Sequence, residues 1–175
     1  IANSQNPASD RQTTLIAEIY LLKIQNLSLK KGADRTAIQE KFESLLVEYG
    51  QHTESMELHL AYADFLTFDL EQPEVAIQHL EAILPKATSQ FSKGLYQMKI
   101  ADILVFSDQF NQALIMYTQI QYDLKNSELA QEARFKVART SYFKGDFQWA
   151  QNQLKVLKSS TSQLIANDAL ELSLK

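Results

Sequence analysis

Small residues recur along this chain at a spacing that a repeated helix–turn–helix unit accounts for. Ala138 and Ala150 lie twelve residues apart within the stretch 133–157, with Gly145 and Asp146 as the hinge between them. Thirty-seven residues upstream the same skeleton returns, with Ala101 and Ala113 twelve apart about a hinge at Ser107 and Asp108. A third copy carries Ala63 and Ala76, offset from their counterparts by 38 and 37 residues. Larger residues keep the same register: Phe68, Phe106 and Phe143 end each first helix, and Leu80, Tyr117 and Leu154, then Ile83, Ile120 and Leu157, align in the second. Small residues at fixed points let helix axes approach while large neighbours fill the grooves, as stacked helix pairs require.

Composition agrees with long helices and short links. Only 4 Gly and 3 Pro in 175 residues are too few for the turns of an all-β sandwich or barrel. With 45% hydrophobic and 22% charged residues the chain is globular in character. The spacing predicts an all-α fold, an α-solenoid of about four stacked antiparallel helix pairs plus a terminal helix. Residues 1–10 read as a polar leader or linker, with Asp10 as a helix N-cap, and 11–175 as a single helical repeat domain. The predicted pairs cover about 11–50, 53–84, 88–124 and 128–158, with the terminal helix at 162–175. Lys30, Lys31 and Gly32 are expected to close the first helix, Gly50 the second, and Thr53 to cap the third, while Pro73 opens a later helix where its missing N–H is harmless.

These residues resemble the tetratricopeptide repeat, whose pattern has a small residue in the first helix, Gly before an aromatic at the turn, Ala three residues later and an aromatic four further on. Ala138, Gly145, Phe147, Ala150 and Leu154 carry the resemblance best, followed by Ala101, Phe110, Ala113 and Tyr117, and then by Ala63 and Ala76. It covers about residues 53–175 directly and the first pair, around Ala17 and Ala37, by extrapolation. The closing run 155–174 is similar to the later part of long bacterial tetratricopeptide proteins that carry export signals, which gives a lean toward an exported or cell-envelope location. The chain departs from the family in having Ile83, Ile120 and Leu157 where a small residue is usual, and a spacing of 37 where ~34 is typical. The resemblance implies a right-handed superhelix whose first helices line a concave, protein-binding groove.

On that reading the groove rungs are Leu60, Met98 and Phe135; Asp64, Asp102 and Arg139; Thr67, Val105 and Tyr142; and Phe68, Phe106 and Phe143, the last set open to a core or a groove role. Asp102 and Arg139 are candidates to pair across neighbouring repeats. Such rungs suit a peptide or partner protein, apolar anchors giving affinity and charges giving register. Catalysis, cofactors and metals find no support. There is no Cys, no GxSxG, P-loop or GxGxxG, and His52, His59 and His79 form no HExxH and read as surface or helix-end residues. Gly32, Gly50, Gly94 and Gly145 read as stops or turns, and Glu171 with Asp168 as a solvated face. The net charge of −4 with scattered Lys and Arg argues against nucleic acid, and no window is long and apolar enough to span a membrane. Trp149 is expected to pack against the terminal helix. That helix, with Leu164, Ile165, Leu170, Leu172 and Leu174, either docks as a cap, continues into further chain beyond Lys175, or pairs with a second copy. Self-assembly through apolar terminal helices is the alternative function. The absence of an initiating Met suggests a fragment of a longer protein.

Overall fold

A computed structural model describes residues 7–50, 55–157 and 163–173. Among them the chain forms nine α-helices and no strand: α1 (Pro7–Ser28), α2 (Thr36–Tyr49), α3 (Met56–Asp64), α4 (Pro73–Ile83), α5 (Gln90–Phe106), α6 (Phe110–Asp123), α7 (Glu128–Lys144), α8 (Phe147–Leu157) and α9 (Gln163–Ser173). It divides into two compact units, Ile1–His79 and Leu80–Lys175.

In the first unit α1 packs on α2 and α3, and α2 on α3. Leu15, Ile19 and Leu22 recur at helical spacing on α1 and are buried, as are Ile38, Phe42 and Leu45 on α2. The Phe42 ring lies 5.6 Å from Tyr62 and 5.2 Å from Phe65, joining the two helix faces in one aromatic core. Helix α1 begins at Pro7, ahead of the expected start. Residues 7–10 are therefore its first turn and Asp10 stands inside it, near the positive helix end, where it is no N-cap. Residues 1–6 and Thr53 lie outside the described residues. The helix also stops before its lysines. Ser28 Oγ donates to the Gln25 carbonyl at 2.7 Å, and the chain then turns through Gly32 at φ 78°. Arg35 holds this link, donating to Asn26 Oδ1 at 2.8 Å and lying 3.5 Å from the Asp69 carboxylate.

In the second unit α6 packs between α5 and α7, α8 packs on α7, and α9 packs on both α7 and α8. Ser89 and Ser92 cap α5 reciprocally, and the Ser127 side chain accepts from the Ala130 N–H at the start of α7. Gly94 is neither stop nor turn. It sits within α5, buried, where a Cβ would come 2.6 Å from Leu124 Cδ1 and 3.0 Å from Leu129 Cδ2, so its role is close helix packing.

The alanine register governs burial in every copy. Ala63, Ala76, Ala101, Ala113, Ala138 and Ala150 are all at most 2% exposed. The turns repeat as well, with left-handed residues at Glu71, Asp108 and Gly145 (φ 55°, 59° and 89°), each 37 residues from the next. After Asp108, Gln109 N–H reaches back to the Leu104 carbonyl, and after Gly145, Asp146 N–H reaches Ser141, both at 2.8 Å; these are Schellman closures that satisfy the last carbonyls of α5 and α7. The equivalent bond in the first copy, Gln72 N–H to Leu66, spans one residue more. Ala63 and Glu71 are eight residues apart where the other copies have seven, and the extra residue is taken up in a π-helical turn, Phe65–Asp69, with Leu70 N–H bonded to the Phe65 carbonyl at 3.1 Å. The mixed offsets of 37 and 38 in the sequence are this insertion.

Candidate functional site

The expected groove positions divide by burial. In the second unit Met98 is 5% exposed and belongs to the core, and Phe135 packs partly buried against Ala138, Leu154, Leu157 and Ala169. Val105 is half-buried and Arg139 exposed. Half-buried Tyr142 meets Phe147 edge-on at 5.2 Å and Phe143 at 6.2 Å. In the first unit Leu60 and Asp64 are half-buried, while Thr67 is fully buried and donates to the Ala63 carbonyl at 2.7 Å. The Phe set is resolved in favour of exposure: Phe68, Phe106 and Phe143 stand 54%, 56% and 59% exposed at the ends of their helices.

Asp102 does not pair with Arg139. Its carboxylate accepts both oxygens' worth of contact from Lys136 Nζ, at 2.7 Å each, and a 2.6 Å bond from the Tyr117 hydroxyl. Lys136 lies one turn before Arg139 on α7 and also comes within 3.6 Å of Glu132. Burial, reinforced by the Asp102 carboxylate, pushes the Tyr117 hydroxyl far above its ordinary pKa, so the phenol is a fixed donor. The triad joins α5, α6 and α7 in a structural knot, and Arg139 stands exposed one turn further along α7.

The histidines depart most from expectation. His59, on α3, is only 2% exposed, and its Nδ1 lies 3.0 Å from Nε2 of His79 on α4. Its Nε2 lies 3.1 Å from the Gly50 carbonyl, which also receives the Ser55 hydroxyl at 3.4 Å. A Cβ on Gly50 would collide with the Leu46 carbonyl, so the close of α2 against Leu46 requires glycine there. Tyr62 meets the His79 ring edge-on at 5.1 Å and donates to Glu43 Oε1 at 3.3 Å. Burial, with His59 as a smaller contribution, pulls the His79 pKa down to about 4. The one sequence signal for this pair was His59 standing between Leu58 and Leu60 in an apolar run. His52 lies outside the described residues.

Among the described residues no group of three or more His, Cys, Asp or Glu could hold a metal ion, and no helix is long and apolar enough to cross a membrane. An open cleft of about 360 Å³ between α1 and α2 is lined by Leu21, Leu22, Ala37 and Ile38, with Glu18 and Lys41 on its two walls. Its polar groups form no convergent set that would orient a small ligand. Helix α9 docks through Ala169 and Leu172, which meet Leu154 and Leu157 of α8, whereas Trp149 is half exposed. The α8 face turned to Ala169 and Leu172 of α9 carries Leu154 and Leu157. The side chains of Leu164, Ile165 and Leu170, and residue Leu174, lie outside the described residues. No family model matches the chain, and no curated protein matches it in sequence.

Proposed function

We propose that the chain is a tetratricopeptide-like array of antiparallel helix pairs, and that it acts as a scaffold binding an extended segment of a partner protein without chemistry of its own. The observation that carries this reading is the exposure of large aromatic side chains at repeat-equivalent positions. A phenylalanine held more than half in water at the end of three successive first helices does little for the core, and partner surfaces use such residues as anchors. In the second unit the binding surface is assigned to α7, where Phe143 and Tyr142 stand near Arg139 on successive turns. Arg139 then supplies register to an acidic position of the bound segment.

The test is to select peptides on the purified protein from a displayed random library and measure their affinity by fluorescence anisotropy. Phe143→Ser and Arg139→Glu are each expected to weaken binding at least tenfold, with Arg139→Glu showing the stronger salt dependence. Affinities unchanged by both substitutions would remove this surface from the account. A second reading, self-assembly through a terminal helix, is favoured by α1, where Ile16, Tyr20, Ile24 and Leu27 form an exposed stripe at helical spacing. Sedimentation equilibrium distinguishes it, since a monomer at every concentration rules it out.

A further inference from the structure

The outward face of α1 is apolar through the middle of the helix. Leu15, Ile19 and Leu22 point into the first unit, and the opposite arc carries Ile16, Ala17, Tyr20, Leu21, Ile24 and Leu27, all exposed. Tyr20, Leu21, Ile24 and Leu27 each stand more than half in water. The short hydroxyl side chains on this arc do not depend on that water. Thr13 Oγ1 donates to the Ser9 carbonyl at 2.8 Å, Thr14 Oγ1 to the Asp10 carbonyl at 2.9 Å and Ser28 Oγ to the Gln25 carbonyl at 2.7 Å, each back into its own helix. Covering the face therefore orphans none of these donors, which removes the usual cost of desolvating hydroxyls.

Charge lies at the margins of the face. Lys23 closes one edge, 3.2 Å from the Glu57 carboxylate, and Glu18 and Gln25 line the other, along the cleft shared with α2. Asp10 stands exposed in the first turn, and Lys30 and Lys31 stand exposed just past the last; Arg11 falls on the α2 side, where its charge reaches Tyr49. A face bounded by an acid at its start and lysines past its end complements itself when turned end for end. Antiparallel pairing about a two-fold axis near Leu21 sets Ile16 against Leu27 of a second copy and Tyr20 against Ile24. The same register puts the Glu18 carboxylate beside the second copy's Gln25 amide and Asp10 within a side chain's reach of Lys30 and Lys31. Parallel pairing would instead set Asp10 on Asp10 and lysine on lysine. Five large side chains exposing roughly 100 Å² apiece amount to about 500 Å² per copy and about 1,000 Å² in a pair, at the lower end of specific interfaces.

We propose that α1 is the interface of a homodimer, in which the outward faces of two copies pack antiparallel about a two-fold axis near Leu21. This rests on the self-assembly reading and is independent of the α7 surface. An apolar interface of this size corresponds to a dimer that dissociates in the micromolar range. Two-fold symmetry doubles the effect of any single substitution, since each change is present on both sides of the axis.

Sedimentation equilibrium of the whole chain across the micromolar range should show a monomer–dimer equilibrium. Ile24→Glu should weaken it at least a hundredfold while leaving the helical circular dichroism unchanged, because the side chain is 61% exposed. Lys30→Glu together with Lys31→Glu should weaken it about tenfold, and adding Asp10→Lys to them should restore it. The chain has no Cys, so a single introduced one reports the arrangement. On mild oxidation Leu21→Cys, close to the axis, should form an intermolecular disulfide, and Leu27→Cys, far from its own copy in an antiparallel pair, should not. A wild-type monomer at every concentration would overturn both the self-assembly reading and this interface. A dimer that survives Ile24→Glu, or one that Leu27→Cys links as readily as Leu21→Cys, would overturn this interface alone.

Discussion

Removing the Asp102 carboxylate should destabilise the second unit by about 3 kcal/mol, through the partners it abandons. In Asp102→Ala the Tyr117 hydroxyl, on a residue 1% exposed, loses its acceptor, and an orphaned buried hydroxyl costs about 1–2 kcal/mol. The Lys136 ammonium, on a side chain 15% exposed, loses two 2.7 Å contacts and keeps only Glu132 at 3.6 Å. Breaking a fully buried pair typically costs 3–5 kcal/mol; because the Asp102 side chain is one-third exposed, about 1–2 kcal/mol is assigned to this part. Tyr117→Phe alone should cost about 1 kcal/mol, and Lys136→Met less, since Asp102 can then be hydrated. The discriminating variant is the triple change Asp102→Ala, Tyr117→Phe, Lys136→Met. With no orphaned polar group it should be more stable than Asp102→Ala by about 1 kcal/mol, although it carries two further substitutions. Urea unfolding followed by the fluorescence of Trp149, the sole Trp and a residue of the second unit, reads these differences directly. A loss under about 1 kcal/mol for Asp102→Ala, or a triple variant less stable than it, would refute the argument from abandoned partners.

Two other substitutions test the turns and the close packing. Gly145→Ala should lower stability by about 1 kcal/mol even though nothing lies within 4 Å of the added Cβ, because φ is 89° there; Asp108→Gly, at φ 59°, should raise it by about 0.5 kcal/mol, and urea midpoints showing the same sign for both would contradict the shared left-handed geometry. Gly94→Ala should lose about 1 kcal/mol in the same assay, since displacing Leu124 and Leu129 outweighs the gain in helix propensity, and a stabilised variant would mean that those side chains yield freely.

What could be read from the chain alone follows from which interactions leave a periodic trace. The helices and the six register alanines were legible because burial against a neighbouring helix repeats each time the unit repeats. A contact made once leaves no such trace. Asp102 could be placed on a face of α5, but Lys136 and Arg139 both stand on α7 within a turn of each other, and the choice of Lys136 depends on the Tyr117 hydroxyl arriving from a third helix. His59 and His79 are twenty residues apart on different helices and meet ring to ring, a contact made once and at no repeat spacing. Gly94 misled for a related reason, since glycine serves both left-handed turns and close approaches, and only the position of Leu124 and Leu129 separates the two uses. The offsets of 37 and 38 fall between these cases. They recorded an inserted residue between Ala63 and Glu71, yet an offset cannot tell whether the chain bulges outward, lengthens the turn or widens the helix. The choice is a backbone matter. Glu71 keeps the left-handed φ of Asp108 and Gly145, while the Leu70 N–H to Phe65 and Gln72 N–H to Leu66 bonds both widen by a residue, so the surplus residue is absorbed in the wider rings at the helix end. The left-handed φ of the turn residue is therefore kept while the hydrogen-bonded rings before it widen, and Glu71 holds a conformation that suits glycine better.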